Sequence, residues 1–363
     1  LQAEIEGLKA WAQQEQDPVA RGVLNSIVGY YNLDIMPENV DSAIYYFRLS
    51  LKDKEALAGV TAKEYEPLTK SRELSEKYFG DTMLDLLTRQ AINRLDGYGV
   101  SMTNPDVQKT IMELYDDLIG YYVNTGNRAA ELLTRISQLS YLQGNNMKYP
   151  LKKTNEEVIA QLNKWAEEYA DLDVCAGVYA YLAEIYGRYE HDYVRELAAA
   201  EEGLKRYPKS EFAKELKERK RAVLLPSLSI SSEWMYPGET STFSATCRNL
   251  KGVTLELYRL NIKASSSAFA KGSEGSALIK QYGKLYSKQH FDLPATPTYR
   301  DTTITFTFQM PEAGIYVLKS RPDGQSDKTA AYEIIHLSPL QALSFPLPEG
   351  EREYYVVDRR SGQ

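Results

Sequence analysis

The sequence has 363 residues, of which 43% are hydrophobic and 26% charged, and its formal net charge at pH 7 is -7. This length suits two domains that each bury a core, and no apolar run reaches the roughly 20 residues that a membrane-spanning helix needs. Nucleic-acid-binding proteins carry a basic surface, so the negative charge argues against DNA or RNA as a partner. With 28 tyrosines and only 3 histidines, the composition favours binding over acid–base catalysis.

Residues 1–224 place apolar side chains at helical spacing, and the breaks between them carry signals of helix starts. Asp17 and Asn104 each supply an N-cap oxygen directly before a proline, which is tolerated at the first helical position. Thr154 and Glu157 form a capping-box pattern ahead of another apolar stripe. The sequence therefore predicts an α-helical domain whose helices begin at these positions.

Part of this helical region repeats a common layout. Tyr186 is followed about one helix later by alanines at 198–200 and then by Tyr207 and a proline, which resembles the tetratricopeptide helix–turn–helix repeat. An earlier copy covers residues 118–133. The tryptophan, glycine and proline of the full repeat signature are incomplete, so we predict a tetratricopeptide-like solenoid without assigning a particular repeat family.

At Leu225, which precedes a proline, the hydrophobic period changes from 3.6 to 2. Apolar and polar residues alternate at 243–248, 253–258 and 303–308. Further strands are predicted at residues 228–231, 285–293, 314–320 and 331–337. About seven antiparallel strands predict an immunoglobulin-like β-sandwich over residues 225–350.

Two stretches depart from this alternation. The polar insert at residues 264–283 has no periodicity, which is typical of a mobile loop. Residues 351–363 contain a strand-like segment, and we interpret them as a linker or the start of a following domain. Because the chain opens at Leu1, we also expect that an initiator methionine or a cleaved leader preceded it.

No motif in the sequence carries recognisable chemistry. His191, His290 and His336 have no neighbouring histidine, cysteine or carboxylate at metal-ligand spacing. His336 alternates in phase with Tyr332 and Ile334, which predicts a partly buried, hydrogen-bonded side chain. Nucleophile-elbow, phosphate-loop, dinucleotide-binding and zinc-protease motifs are absent. We therefore predict a protein that is not an enzyme and has no catalytic residue, cofactor or metal.

Tyrosine is enriched where proteins meet, and three tyrosine pairs place one ring toward the helix core and the next toward a groove or solvent. Packing alone is the alternative explanation for these pairs. A second group of aromatic residues stands near a predicted loop tip of the sandwich. The candidate protein-contact residues from both groups are Tyr30, Tyr46, Tyr121, Trp234 and Tyr236.

Three short motifs of the sandwich region follow one another in a characteristic order. They are Tyr236-Pro237-Gly238, Arg248-Asn249-Leu250 leading into 253–260, and Met310-Pro311 with Gly314-Ile315-Tyr316. Their order and spacing resemble the first macroglobulin-type domain of bacterial alpha-2-macroglobulin-like proteins. The segment 356–363 resembles the join at which such proteins start their next sandwich. The resemblance covers roughly residues 225–363 and implies the N-terminal region of a larger chain.

The resemblance implies an exported protein of the periplasm or cell surface, lipid-anchored through a segment ahead of Leu1. It implies a non-enzymatic scaffold that binds peptidases or envelope proteins and is linked to protease inhibition or trapping, with further domains after Gln363. Many relatives trap proteases through a cysteine-glycine-glutamate-glutamine thioester, but neither Cys175 nor Cys247 stands in such a segment.

Two other functions stay open at this point. One is a surface carbohydrate-binding or adhesin-like protein that uses the sandwich as its binding module, which needs exposed aromatic side chains on one sheet face or at loop tips. The other is an enzyme of unrecognised mechanism, which needs at least two titratable groups that converge in one cleft.

Overall fold

The computed structural model describes residues 2–35, 40–65, 77–97, 104–144, 152–232, 235–261, 274–326 and 330–363. The chain divides into two compact units, Leu1–Lys220 and Arg221–Gln363. The first unit is helical and the second consists mainly of antiparallel β-structure. Among the described residues, no helix is both long and apolar enough to cross a membrane.

Eleven helices are described up to residue 224, and the last four residues of the final helix belong to the second unit. They are α1 (Gln2–Gln14), α2 (Pro18–Ile35), α3 (Val40–Ser50), α4 (Lys54–Ala58), α5 (Met83–Gly97), α6 (Pro105–Thr125), α7 (Arg128–Gln143), α8 (Asn155–Glu168), α9 (Ala176–Glu184), α10 (Tyr193–Arg206) and α11 (Ala213–Leu224). A π-helical turn at Ile185–Tyr189 extends α9.

The predicted helix starts are confirmed by hydrogen bonds at the caps. The Asp17 carboxylate accepts the N–H of Val19 at 3.0 Å, and the Asn104 side chain accepts the N–H two residues on at 2.9 Å. Thr154 and Glu157 exchange both bonds of a capping box. Each cap satisfies backbone donors that the first helical turn leaves unpaired.

Two large apolar clusters hold the helical unit together. One joins α2 to α6 and includes the fully buried Phe47, Met83 and Ile111. The other joins α7 to α11 and includes Leu162 and Ile185. Most consecutive helices pack on each other, and α3 also packs on α6 and α7 on α9. The helical character of the described residues up to 224 is confirmed, whereas their membership of a repeat family stays a prediction.

The described residues of the second unit form nine strands. They are β1 (Ser227–Ser232), β2 (Thr240–Arg248), β3 (Gly252–Leu260), β4 (Gly283–Asp292), β5 (Thr302–Gln309), β6 (Gly314–Pro322), β7 (Ala331–Leu337), β8 (Leu340–Pro346) and β9 (Arg352–Asp358). Every pairing among them is antiparallel.

Seven of these strands form two sheets that share one hydrophobic core. The first sheet has the order β1-β2-β5 and the second the order β4-β3-β6-β7. Phe243 and Phe306 from the first sheet and Leu255, Tyr316 and Ile335 from the second belong to the same buried cluster. We call this assembly the paired sheets. Their alternating apolar residues point inward, as a half-buried strand requires.

Part of the insert that we predicted as a mobile loop is ordered, so that prediction is wrong for its C-terminal end. Gly275–Tyr282 forms helix α12, and the strand that follows begins at Gly283. Leu278 of α12 is 1% exposed and packs against Leu260 and Val317 on the outer face of the four-stranded sheet. Tertiary packing therefore stabilises a helix too short to form alone. The remainder of the insert lies outside the described residues.

The prediction of which β7 side chains face the core is also wrong. Ile335 and Leu337 are buried in the shared core, whereas His336 is exposed. Consecutive isoleucines at 334 and 335 make both phases of the alternation apolar, so the sequence pattern could not distinguish the inner face from the outer one.

Strands β8 and β9 form a separate two-stranded sheet with a register from Leu340↔Asp358 to Pro346↔Arg352. We predicted that residue 350 ends the sandwich domain, and this position falls in the turn of the hairpin. The last residues of the chain are therefore paired with a strand that precedes the predicted boundary.

Candidate interaction surfaces

The described residues offer no group of three or more His, Cys, Asp or Glu side chains that could hold a metal ion. Cys175 and Cys247 are buried free thiols, one in each unit, and burial raises the pKa of both. A raised pKa lowers the fraction of reactive thiolate. Their surroundings are those of structural cysteines.

One buried charge cluster joins α5 to α6. The Asp85 carboxylate accepts the Nε–H of Arg89 at 2.6 Å, and the Arg89 guanidinium lies 4.4 Å from the centre of the Phe79 ring. Burial raises the pKa of Asp85, and burial together with Asp85 raises the pKa of Tyr122. Asp85 pairs with Arg89, and the Phe79 ring lies between Arg89 and the Tyr122 ring, so the cluster contributes to packing inside the helical unit.

Among the described residues, two of the cavities that border α6 lie along its charged face. The larger, of about 390 Å³, is lined by side chains that include Leu51, Leu84 and Tyr121. The smaller, of about 310 Å³, lies between α3 and α6 and is lined by Tyr45 and Arg48 among others. Both open to solvent along the same side of α6, which gives a groove with apolar and aromatic walls.

Ion pairs cross this groove and use its charged side chains. Arg48 pairs with Glu113 at 2.7 Å, and Lys54 pairs with Asp117 at 2.7 Å. Neighbouring Asp116 instead accepts a hydrogen bond from Gln138 at 2.7 Å. The two adjacent carboxylates therefore have separate partners and do not form an acid–base pair.

The predicted contact residues Tyr30 and Tyr46 are half-buried beneath cations. The Arg94 guanidinium lies 3.8 Å from the centre of the Tyr30 ring, and the Lys9 ammonium lies 5.6 Å from that of Tyr46. Within each pair the neighbouring ring is the more exposed one, at 58% for Tyr45. Helix rotation of about 100° per residue decides which ring faces outward, and the pairs alone do not reveal it.

Tyr121 is half-buried, lines the larger cavity, and has its hydroxyl 3.4 Å from the Thr82 hydroxyl. Of the three contact residues predicted in the helical unit, Tyr121 is the one that lines a described cavity. Trp234 lies outside the described residues. Tyr236 lies beneath the Arg360 guanidinium at 4.3 Å, so part of its ring is already covered by this chain.

Among the described residues, the largest group of exposed apolar side chains lies on the β8–β9 hairpin. These side chains are 41% to 67% exposed, and we call them the hairpin patch: Leu340, Phe345, Leu347, Tyr354, Tyr355 and Val356. Exposed apolar side chains grouped in this way are typical of contact sites in soluble proteins.

The hairpin patch occupies both faces of its sheet. On one face Val356 stands opposite Ala342, and Tyr354 stands opposite Ser344. On the other face the Tyr355 ring meets Phe345 edge to face, with ring centres 5.8 Å apart. A two-stranded sheet is marginally stable in water by itself, and here neither face is covered by the described residues.

Two arginines fix the base of the hairpin to the paired sheets. Arg359 donates to the backbone oxygens of Met235 at 2.9 Å and Ser338 at 3.1 Å. Arg360 pairs with Glu239 and covers Tyr236. The hairpin is therefore held at a defined position although its faces are exposed.

The turn after β9 is closed by Asp358. Its carboxylate accepts the backbone N–H groups of Arg360 at 3.0 Å and Ser361 at 2.9 Å. These bonds hold the pKa of Asp358 below its usual value. The turn thereby orients the arginines that hold the hairpin.

No protein-family model matches this sequence, and no curated protein matches it. Among solved structures, the chain is similar to the crystal structure of native alpha-2-macroglobulin from Escherichia coli spanning domains MG0-NIE-MG1, with a TM-score of 0.29 and 14% sequence identity. The match covers 37% of this chain and 46% of that chain. The chain thus matches less than half of that structure, and we transfer neither fold nor function from it.

Proposed function

We propose that this chain is a non-enzymatic protein-interaction and scaffold region of a large alpha-2-macroglobulin-like protein of the bacterial cell envelope. The observation that carries the proposal is the hairpin patch, an apolar surface that is held in place at its base and uncovered on both faces. A surface of this kind serves contact with other protein and supplies no catalytic chemistry.

The residues of the macroglobulin-like motifs support the sandwich part of the proposal through their contacts. The Tyr316 hydroxyl donates to the backbone oxygen of Glu312 at 2.9 Å, as the tyrosine of an immunoglobulin-like corner does. Gly238, with a φ of 76°, donates its N–H to Pro311 at 2.8 Å and so joins the first motif to the third. Three strands facing four also suit an immunoglobulin-like sandwich.

Asn249 of the second motif supports the same reading of the turn before β3. It adopts a φ of 56°, a left-handed conformation that asparagine tolerates better than most residues. Its side-chain amide donates to the backbone oxygen of Val223 at 2.8 Å. The asparagine therefore combines a turn conformation with a contact to the residues that precede the sandwich.

In this proposal the hairpin patch packs against further β-strands of the same polypeptide. The outer edges of β8 and β9 have no strand partner among the described residues, and added strands would extend the sheet and cover its faces. The groove beside α6 would bind partner proteins such as peptidases or envelope proteins. Export to the periplasm or cell surface and a link to protease trapping belong to the same proposal and rest on the sequence resemblance.

The hairpin patch does not favour carbohydrate binding. A sugar chain stacks on aromatic rings that lie side by side on one surface, but Tyr354 and Tyr355 lie on opposite faces of the hairpin. Tyr236, the other aromatic residue considered for that function, lies against Arg360. We therefore propose no second function.

Hydrogen exchange measured by mass spectrometry tests the role of the hairpin. We would compare residues 340–358 in this chain with the same residues in the polypeptide purified from the native envelope. Amides of the outer edges should exchange at least about tenfold more slowly in the native polypeptide, because strand pairing protects them. Exchange in β2 serves as the control, since this central strand is paired on both sides in either sample.

Equal exchange in both samples, or a native polypeptide that ends with the hairpin, would overturn the proposal. The variant Tyr354→Ser/Val356→Ser sharpens the test. It should leave the unfolding of the paired sheets unchanged while reducing the binding of an apolar fluorescent dye, because both side chains are more than half exposed.

A further inference from the structure

The paired sheets have two lateral edges, and these edges differ. At one edge, which we call the closed edge, Phe291 of β4 stacks on Phe306 of β5 with ring centres 4.3 Å apart. Phe306 also stacks on Phe243 at 5.7 Å, so an aromatic row bridges the two sheets. The core is sealed on this side.

At the opposite edge, which we call the open edge, β1 and β7 leave a groove of about 560 Å³ between the sheets. The core-facing side chains of β1, Leu228 and Ile230, are only half-buried there. Leu225, at one end of the groove, is 51% exposed. The apolar interior is therefore accessible along this edge.

Both strands of the open edge have one unpaired side. Strand β1 pairs only with β2, and β7 pairs only with β6, among the described residues. Each strand therefore directs backbone N–H and C=O groups toward the groove without a strand to receive them. A helix satisfies its own backbone groups, so an extended segment is the conformation that pairs with such an edge.

One charged side chain selects among such segments. Glu333 lies on the same face of β7 as the buried Ile335 and Leu337, so its carboxylate is directed toward the inner side of the sheet at the groove. The Glu333 side chain is exposed at the groove, the desolvation that it undergoes there raises its pKa, and it forms no ion pair with a described cation. A carboxylate in such a position gains from a neighbouring cation.

We propose that the open edge is a site of strand addition that takes an extended segment of another polypeptide, with a lysine or arginine opposite Glu333. Residues two positions before and after this cation share its face, because side chains alternate along a strand. They would lie over Leu228 and Ile230, so they are apolar. The open edge should therefore recognise a five-residue segment with a basic residue at its centre and apolar residues at its first and last positions.

A charge that points inward on an edge strand also protects proteins against edge-to-edge association. That role predicts a different result when the charge is removed. Protection alone predicts that Glu333→Gln causes the chain to self-associate, with no change in the recognition of a basic segment. Strand addition predicts that Glu333→Gln removes the preference for a basic residue.

The test uses the full chain and a fluorescent, end-blocked synthetic peptide that alternates threonine and valine around a central lysine. We expect saturable binding by fluorescence anisotropy, together with slower hydrogen exchange in β1 and β7. A peptide with glutamate in place of lysine should bind at least about fivefold more weakly, as a pair of charges contributes at a partly exposed site. Glu333→Gln should remove this difference, whereas Glu351→Gln, an exposed position outside the groove, should retain it.

The proposal is overturned if the peptide does not bind saturably, if protection appears outside β1 and β7, or if Glu333→Gln keeps the preference for lysine. It is also overturned if Glu333→Gln yields self-association alone, or if the wild-type chain sediments as a dimer and its β1 and β7 are protected from hydrogen exchange without the peptide. Because the hairpin patch is a different surface, failure here leaves the proposed scaffold function untouched.

Discussion

The two edges of the paired sheets solve the same physical problem in opposite ways. At the closed edge the Phe291 and Phe306 rings fill the gap between the sheets, so the core ends in a dense aromatic contact. At the open edge Leu228 and Ile230 are only half-buried, and Glu333 occupies the position of an apolar residue. The closed edge therefore contributes mainly to stability, and the open edge is free to contribute to recognition.

The largest expected effect comes from breaking the closed edge. Phe306→Ala removes a ring that is 8% exposed and contacts both Phe243 and Phe291. We expect a loss of about 3–5 kcal/mol in the free energy of unfolding of the second unit. Chemical denaturation followed by hydrogen exchange of β2 and β5 measures this loss independently of the helical unit.

Ile230→Ala is the matched change at the open edge. Because Ile230 is half-buried, we expect a loss of about 1–2 kcal/mol, less than a buried isoleucine contributes. Equal losses for the two variants would show that the open edge is as important to stability as the closed one, and the contrast between them would disappear.

A change on β6, between the edges, calibrates both results. Tyr316→Phe removes the hydroxyl that donates to Glu312 and retains the fully buried ring. We expect a loss of about 0.5–1.5 kcal/mol, the net contribution of one hydrogen bond. A loss as large as that of Phe306→Ala would indicate that the corner controls the fold more than either edge does.

The pH dependence of the closed-edge strand β4 is a finer test. His290 lies 2.9 Å from the Asp323 carboxylate, and this hydrogen bond raises the pKa of His290 above 6.5. The stabilisation is fully present below pH 6.5 and is lost as the pH rises through the higher folded-state pKa. His290→Gln and Asp323→Asn should both flatten the fall in urea midpoint across this window. An unchanged slope in either variant would contradict the pairing.

The smallest effect is expected at Glu333 on the open edge. Desolvation at the groove raises the pKa of this exposed carboxyl group above 4.5, so the folded state binds the proton more tightly than the unfolded state does. The stabilisation is therefore greatest below pH 4.5 and declines as the pH rises through the folded-state pKa. Relative to the wild-type chain, Glu333→Gln should gain stability between acidic and neutral pH in urea titrations. If the stability of both proteins changes with pH in the same way, the Glu333 carboxylate is fully hydrated in the folded state.

Local sequence signals predict much of this fold. N-cap residues such as Asp17 and Asn104 define helix starts because they satisfy backbone donors within one turn. Alternation at 243–248 defines β2 because one face of that strand is buried. The helix α12 was not predictable in this way, since it depends on the packing of Leu278 against strands before and after it.

The candidate sites were harder to predict because they depend on pairing between distant segments. Tyr354 lies in a segment that the sequence predicts as a strand. Its partner strand β8 has an irregular hydrophobic pattern that ends in a proline, so the pairing was not predicted. Glu333 faces the groove of the open edge because its side of β7 is directed toward the core, and the sequence pattern did not show which side that is. Tyr236 was predicted as a contact residue, and its neighbour in the fold is an arginine from the far end of the chain.

The pairing of β2 with β5 has a consequence for the order of folding during synthesis. Thr240 and Gln309 are hydrogen-bonded neighbours although they are 69 residues apart in the chain. The helices of the first unit rely on contacts close in sequence, which form fast, whereas β2 must wait for β5 to leave the ribosome. Until then Phe243 has no stacking partner, so the nascent sheet exposes an aggregation-prone strand. A chaperone has time to bind this strand before β5 is synthesised.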